Sequence, residues 1–192
     1  MPLCKENFLH RVYRVCAHLL PQKLLRLIPL LLAVTVFCSS CDTRHGVNIG
    51  DEPPLVPERD INGNVVSPVM LKGKIVVIYF WVDSCCGDSL KYLIPLYTNN
   101  HFKGLEMLAI NAGDTRKTVE SYIINNNIPF TMLLDEQRLI ARDFSVIGFP
   151  TILIVGRDGL IRKKILGLIS SRDLEKVLLP LLDAKATAKK KE

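Results

Sequence analysis

Apolar positions recur along the chain in two rhythms. Largely apolar runs at 75–80, 105–111, 130–134 and 151–155 read as strands, the first two buried on both faces, and 160–165 as the hairpin partner of the last. Between them the spacing lengthens. Val119, Tyr122 and Ile123 keep an i, i+3, i+4 pattern that predicts a helix over 116–126, capped by Asp114 or Thr115. A short helix is expected over 136–144. Another is expected to start at the cysteines and run through the helix-compatible stretch 90–94, interrupted or bent near Pro95. The last helix starts at Ser170, with Asp173 three residues on. Its stripe of Leu174, Val177, Leu178, Leu181 and Leu182 is bent or stopped around Pro180. Asn62-Gly63 and Asp158-Gly159 mark hairpin turns. Strands alternating with helices, then a closing hairpin and helix, predict an α/β sandwich with a mostly parallel centre.

Composition allows one core: 48% of the 192 residues are hydrophobic and 23% charged. The formal charge of +6 is unevenly placed. Residues 1–40 hold Lys5, Arg11, Arg14, Lys23 and Arg26 against Glu6 alone, and Lys185, Lys189, Lys190 and Lys191 crowd the other end. No basic face with interleaved aromatics is left, which argues against nucleic acid as a partner. A basic region, the apolar run 27–37, itself too short to span a bilayer, and small residues thereafter predict a signal segment over 1–40. Cys38-Ser39-Ser40-Cys41 resembles a bacterial lipoprotein signal, which implies acylation of Cys41 and a membrane anchor. Asp42 resembles the signal that retains such proteins in the inner membrane. Residues 41–57, broken by Gly46, Gly50, Pro53, Pro54 and Pro57, read as a tether; 58–183 as the folded domain; 184–192 as a charged tail.

Of six cysteines, a leader removes Cys4, Cys16 and Cys38, and lipid occupies Cys41. The thiols that remain, Cys85 and Cys86, stand side by side where the 75–80 strand runs into a helix. A helix N-terminus carries orphan N–H groups and a partial positive charge, so a thiolate there is stabilised. The plainer reading is a pair of small buried apolar residues.

The order of parts resembles the thioredoxin fold, and within it the TlpA-like (ResA-like) redoxins. Asp60-Ile61-Asn62-Gly63-Asn64 with Leu71-Lys72-Gly73-Lys74 resembles the family's N-terminal hairpin extension. Val77-Ile78-Tyr79-Phe80-Trp81 resembles the strand before its active site, and 104–111 its second strand. Val146-Ile147-Gly148-Phe149-Pro150-Thr151 resembles its cis-proline loop. The resemblance implies a central mixed sheet flanked by helices. It also implies an extracytoplasmic thiol–disulfide oxidoreductase facing the periplasm, acting on protein or small-molecule thiols, in envelope redox balance or cytochrome c maturation. Cys85 or Cys86 is then the nucleophile. Pro150 orients the substrate through a cis Phe149–Pro150 bond, with Phe149 and Trp81 as walls.

The family's Trp-x-x-x-Cys-x-x-Cys is not intact. Counting from Trp81 puts Cys85 first and Asp88 second; shifting by one puts Cys86 first and Ser89 second. Neither Asp nor Ser can attack a mixed disulfide. Asp88 adds a charge that raises a neighbouring thiol's pKa. Cys85 and Cys86 resolving each other is one way out. A thioredoxin-shaped binding module without turnover is another, and a one-cysteine peroxide-reducing redoxin a third. No cofactor signature is present, and His45 and His101 lie apart with no second ligand at useful spacing, so no metal site is expected.

Overall fold

The computed structural model describes residues 46–188. The expected leader, the lipidation at Cys41, His45 and the final residues from Lys189 on lie outside the described residues. The elements are α1 (Pro68–Leu71), β1 (Ile75–Trp81), α2 (Asp83–Lys91), α3 (Ile94–Asn100) and β2 (Leu105–Asn111). They continue with α4 (Arg116–Asn126), β3 (Thr131–Leu134), α5 (Leu139–Asp143), β4 (Thr151–Val155), β5 (Ile161–Leu166) and α6 (Ser171–Ala188). Among the described residues no helix is long and apolar enough to cross a membrane.

One sheet of order β3-β2-β1-β4-β5 organises the domain. β1 pairs parallel with β2, and β2 with β3, while β4 runs antiparallel to both β1 and β5. The expected parallel centre therefore occupies one half, and the sheet as a whole is mixed. Every residue of β1 is buried, as its unbroken apolar run requires. Because strand side chains alternate, Ile75, Val77, Tyr79 and Trp81 meet the helix layer on one face, beside Leu90, Val119 and Leu174. Val76, Ile78 and Phe80 face the other way, against Ala141 and Phe144.

The boundaries differ from the sequence pattern at informative places. Pro95 is the second residue of α3, where its missing N–H costs nothing, so the break falls at Tyr92 and Leu93. Pro180 sits inside α6 without ending it; the helix runs on to Ala188, into the segment expected as a tail. The turn at Asn62-Gly63 forms, with Gly63 at φ +85°, but its flanks share only the isolated bridge Arg59–Val65. The Asp60 carboxylate holds that turn by accepting from the Asn62 and Asn64 N–H groups at 2.9 and 2.8 Å. Within the expected tether, residues 46–57 lie against the domain. The Gly50 N–H donates to the Ile161 carbonyl at 2.8 Å, and the Ile161 N–H to that of Asp51 at 2.9 Å. Val47 and Val56 add apolar contacts to the core.

Candidate functional site

β1 ends at Trp81, and after the extended Val82 the chain enters α2, which carries both cysteines in its first turn. Val82 has no side chain able to cap that helix. The cap comes from elsewhere. Asp114, in the loop after β2, accepts from the Asp83 N–H through Oδ2 at 2.7 Å. Thr115 caps its own helix, α4, by accepting from the Thr118 N–H. The two residues that the sequence offers as alternative caps thus serve different helices.

The two cysteines are not equivalent. Cys85 is exposed, whereas Cys86 is 1% exposed and packs in the core with Leu90 and Tyr122. Their sulfurs are paired as a disulfide between adjacent residues. Asp88 lies on the surface with its carboxylate bound to the Lys91 ammonium at 2.6 Å. Ser89 turns inward: its hydroxyl donates to the Cys86 carbonyl at 2.7 Å and stands 2.9 Å from the Tyr79 hydroxyl. Of the two ways of counting from Trp81, the exposed cysteine falls in the one that places Cys85 first.

Beside Cys85 a cavity of about 430 Å³ opens between α2 and α4. Asp83, Cys85 and Asp88 line it on one side, Thr118, Ser121 and Tyr122 on the other. Tyr122 closes its inner end, donating to the Gly87 carbonyl at 2.5 Å and lying 4.6 Å, centroid to centroid, from the Trp81 ring. Burial pushes the Tyr122 phenol far above its ordinary pKa, and the negative charges of Asp83 and Asp88 push it further. Burial likewise raises Tyr79, partly offset by its bond to Ser89. Gly87 is needed at this approach, because a Cβ there would sit 2.6 Å from Asp83 Oδ1 and 3.2 Å from Tyr122 Cε2.

The Phe149–Pro150 peptide is cis, as the resemblance implies. Thr151 pairs with Phe80, so Pro150 comes level with Trp81 at the end of β1. The Pro150 carbonyl accepts from the Gly167 N–H at 2.8 Å. Phe149 is half-buried, with the Arg138 guanidinium 5.7 Å above its ring. Trp81 corrects an expectation. It is 0% exposed and lies in the core rather than walling a substrate groove, because the alternation of β1 turns it toward the helix layer. Among the described residues no cluster of His, Cys, Asp and Glu has the geometry to hold a metal ion.

Residues 49–164 match the AhpC/TSA family, well over half of the chain. The chain belongs to the AhpC/TSA family. This redoxin is similar to the thiol-disulfide oxidoreductase ResA of a Bacillus cereus strain, 29% identical over 134 residues, which covers 69% of this chain and 78% of that protein. It is also similar to ResA of Bacillus subtilis (strain 168), 25% identical over 138 residues, covering 71% and 77%. The fold is shared with a thiol:disulfide interchange protein of the thioredoxin family from Chlorobium tepidum, at a TM-score of 0.64 and 18% identity over 72% of this chain and 99% of that one. A thioredoxin domain of a thiol-disulfide oxidoreductase from Bacteroides vulgatus gives 0.62 and 23%, over 71% and 99%. The redoxin is thus a ResA/TlpA-like member of the thioredoxin superfamily.

Three residues of the site escape sequence reasoning. Tyr122 carries the periodicity of an ordinary core position. Asp114 reads as a cap for the helix that follows it. Asn111, buried at the end of β2, is an amide in an otherwise apolar strand end, and that polar position is the available signal.

Proposed function

We propose that this redoxin is an extracytoplasmic thiol–disulfide oxidoreductase using Cys85 as nucleophile and Cys86 as the resolving thiol, anchored to the membrane through lipid on Cys41. The observation that carries the reading is the unequal exposure of two adjacent cysteines at the start of a helix, in a fold shared with thiol–disulfide exchange proteins. The exposed Cys85 thiolate attacks a substrate disulfide, one sulfur leaves as a thiolate, and a mixed disulfide forms. Cys86 then attacks the Cys85 sulfur, releases the second substrate thiolate and closes the Cys85–Cys86 bond. Two electrons and two protons pass to the substrate, and an external dithiol resets the pair. Phe149 and Pro150 orient the substrate, whose class is protein or small-molecule disulfides. A place in envelope redox balance or cytochrome c maturation fits this chemistry.

Asp88 at the position of the family's second cysteine motivates a second reading, a binding module with the groove and without turnover. Redox titration of the full chain, with mass-spectrometric counting of the Cys85 and Cys86 thiols, separates them. A two-electron transition that locks Cys85 to Cys86, and is lost in Cys85→Ser, is expected. Two alkylatable thiols at every potential would remove the dithiol cycle and leave the binding module or a one-cysteine enzyme.

A further inference from the structure

The Asp114 carboxylate is fixed at the positive end of the helix that carries the thiols. Its Oδ2 accepts from the Asp83 N–H at 2.7 Å and from the Asn111 amide at 2.7 Å, while the Asn111 Oδ1 accepts from the Asp114 N–H at 3.0 Å. Asn111 cannot drift. It is 0% exposed, stands opposite Trp81 in the parallel register, and accepts from the Asp135 N–H through its carbonyl at 2.8 Å. The carboxylate is therefore built into the strand end next to the one that delivers the cysteines.

Two consequences follow from elementary electrostatics. The first orphan N–H of α2 is satisfied, which holds the helix start that Val82 leaves uncapped. A full negative charge also occupies the site whose positive potential would otherwise stabilise a thiolate in that turn, and a like charge raises the pKa of a neighbouring acid. The other titratable groups around this end are Asp83 and Asp88 on α2, the latter tied to Lys91, with Tyr122 from α4 and Tyr79 from β1. Arg138, the cation bound to the same loop, donates to the Ala112 carbonyl and lies over Phe149.

We propose that Asp114 is a positioning residue that holds the start of the active-site helix and disfavours the Cys85 thiolate relative to the thiol, poising the Cys85–Cys86 pair to give electrons rather than take them. This rests on the thiol–disulfide reading above. An oxidising dithiol is one whose reduced form is stabilised, in large part as thiolate; withdrawing that stabilisation favours the disulfide and makes the pair a better reductant.

The test is the pH dependence of iodoacetamide alkylation at Cys85, resolved by peptide mass spectrometry on the reduced full chain. In Asp114→Asn the alkylation midpoint is expected to fall by about half a pH unit, giving roughly threefold faster alkylation at neutral pH, with Asp114→Glu restoring the parent profile. A merely structural cap predicts instead that Asn, a good capping residue, leaves the profile in place. An unchanged or raised midpoint in a folded Asp114→Asn overturns the proposal. Asp114→Ser, which keeps a capping hydroxyl without charge, gives the same comparison if the Asn variant does not fold. Alkylation reads the thiol without needing turnover, so loss of the dithiol cycle with the shift intact would sink the enzymatic reading alone.

Discussion

The Tyr122 hydroxyl donates to the Gly87 carbonyl across 2.5 Å, joining the helix of the β2–β3 crossover to the middle of the helix that bears the cysteines. Tyr122 is 8% exposed and Gly87 is buried, so neither group has easy recourse to water. Removing the hydroxyl leaves a buried carbonyl short of a partner. Tyr122→Phe is expected to cost about 1–2 kcal/mol of stability in urea unfolding, with the denaturant slope unchanged.

The same phenol gives an alkaline signature. Its folded pKa is raised, so its contribution is fully present below the unfolded tyrosine value of about 10 and is lost as pH rises beyond it, while the unfolded chain ionises and the folded one does not. Tyr79 and Tyr97, also raised by burial, add to the loss. Stability measured from about pH 9 to 11.5 is expected to fall, and the fall in Tyr122→Phe to be shallower by about one proton. Identical slopes would refute the assignment.

Much of this architecture is legible in the chain because its central strands are largely apolar runs and its turns carry Asn-Gly and Asp-Gly. The cysteines at a strand-to-helix junction are legible for the same reason. What periodicity cannot carry is which side chain reaches across to another element. Asp114 and Thr115 look interchangeable as caps, yet the loop geometry sends one carboxylate to α2 and keeps one hydroxyl for α4. The neighbours of Trp81 in sequence place it at the groove, whereas strand alternation buries it. Pro180 looks like a helix stop, but α6 continues through it, its apolar stripe of Leu174, Leu178 and Leu182 packed against the core on both sides of the proline.

Gly87 sits in a helix where alanine is ordinarily preferred by about 1 kcal/mol. A Cβ there meets Asp83 Oδ1 at 2.6 Å, which a rotation relieves, and Tyr122 Cε2 at 3.2 Å, which the bond to the Gly87 carbonyl resists. Gly87→Ala is therefore expected to destabilise by about 1 kcal/mol in place of the usual gain. In the Tyr122→Phe background, where that bond is gone, the penalty shrinks; equal penalties in both backgrounds would separate the two residues.

The cysteines themselves answer differently to the same substitution. Cys85→Ser exchanges one exposed group for another, and a change within about 0.5 kcal/mol is expected in the reduced chain. Cys86→Ser puts a hydroxyl into a site 1% exposed among Trp81, Leu90 and Tyr122, with an expected cost of about 1–3 kcal/mol. Thermal unfolding of both variants under reducing conditions makes the comparison. A cost at Cys85 equal to that at Cys86 would contradict the division into an exposed attacking sulfur and a buried resolving one.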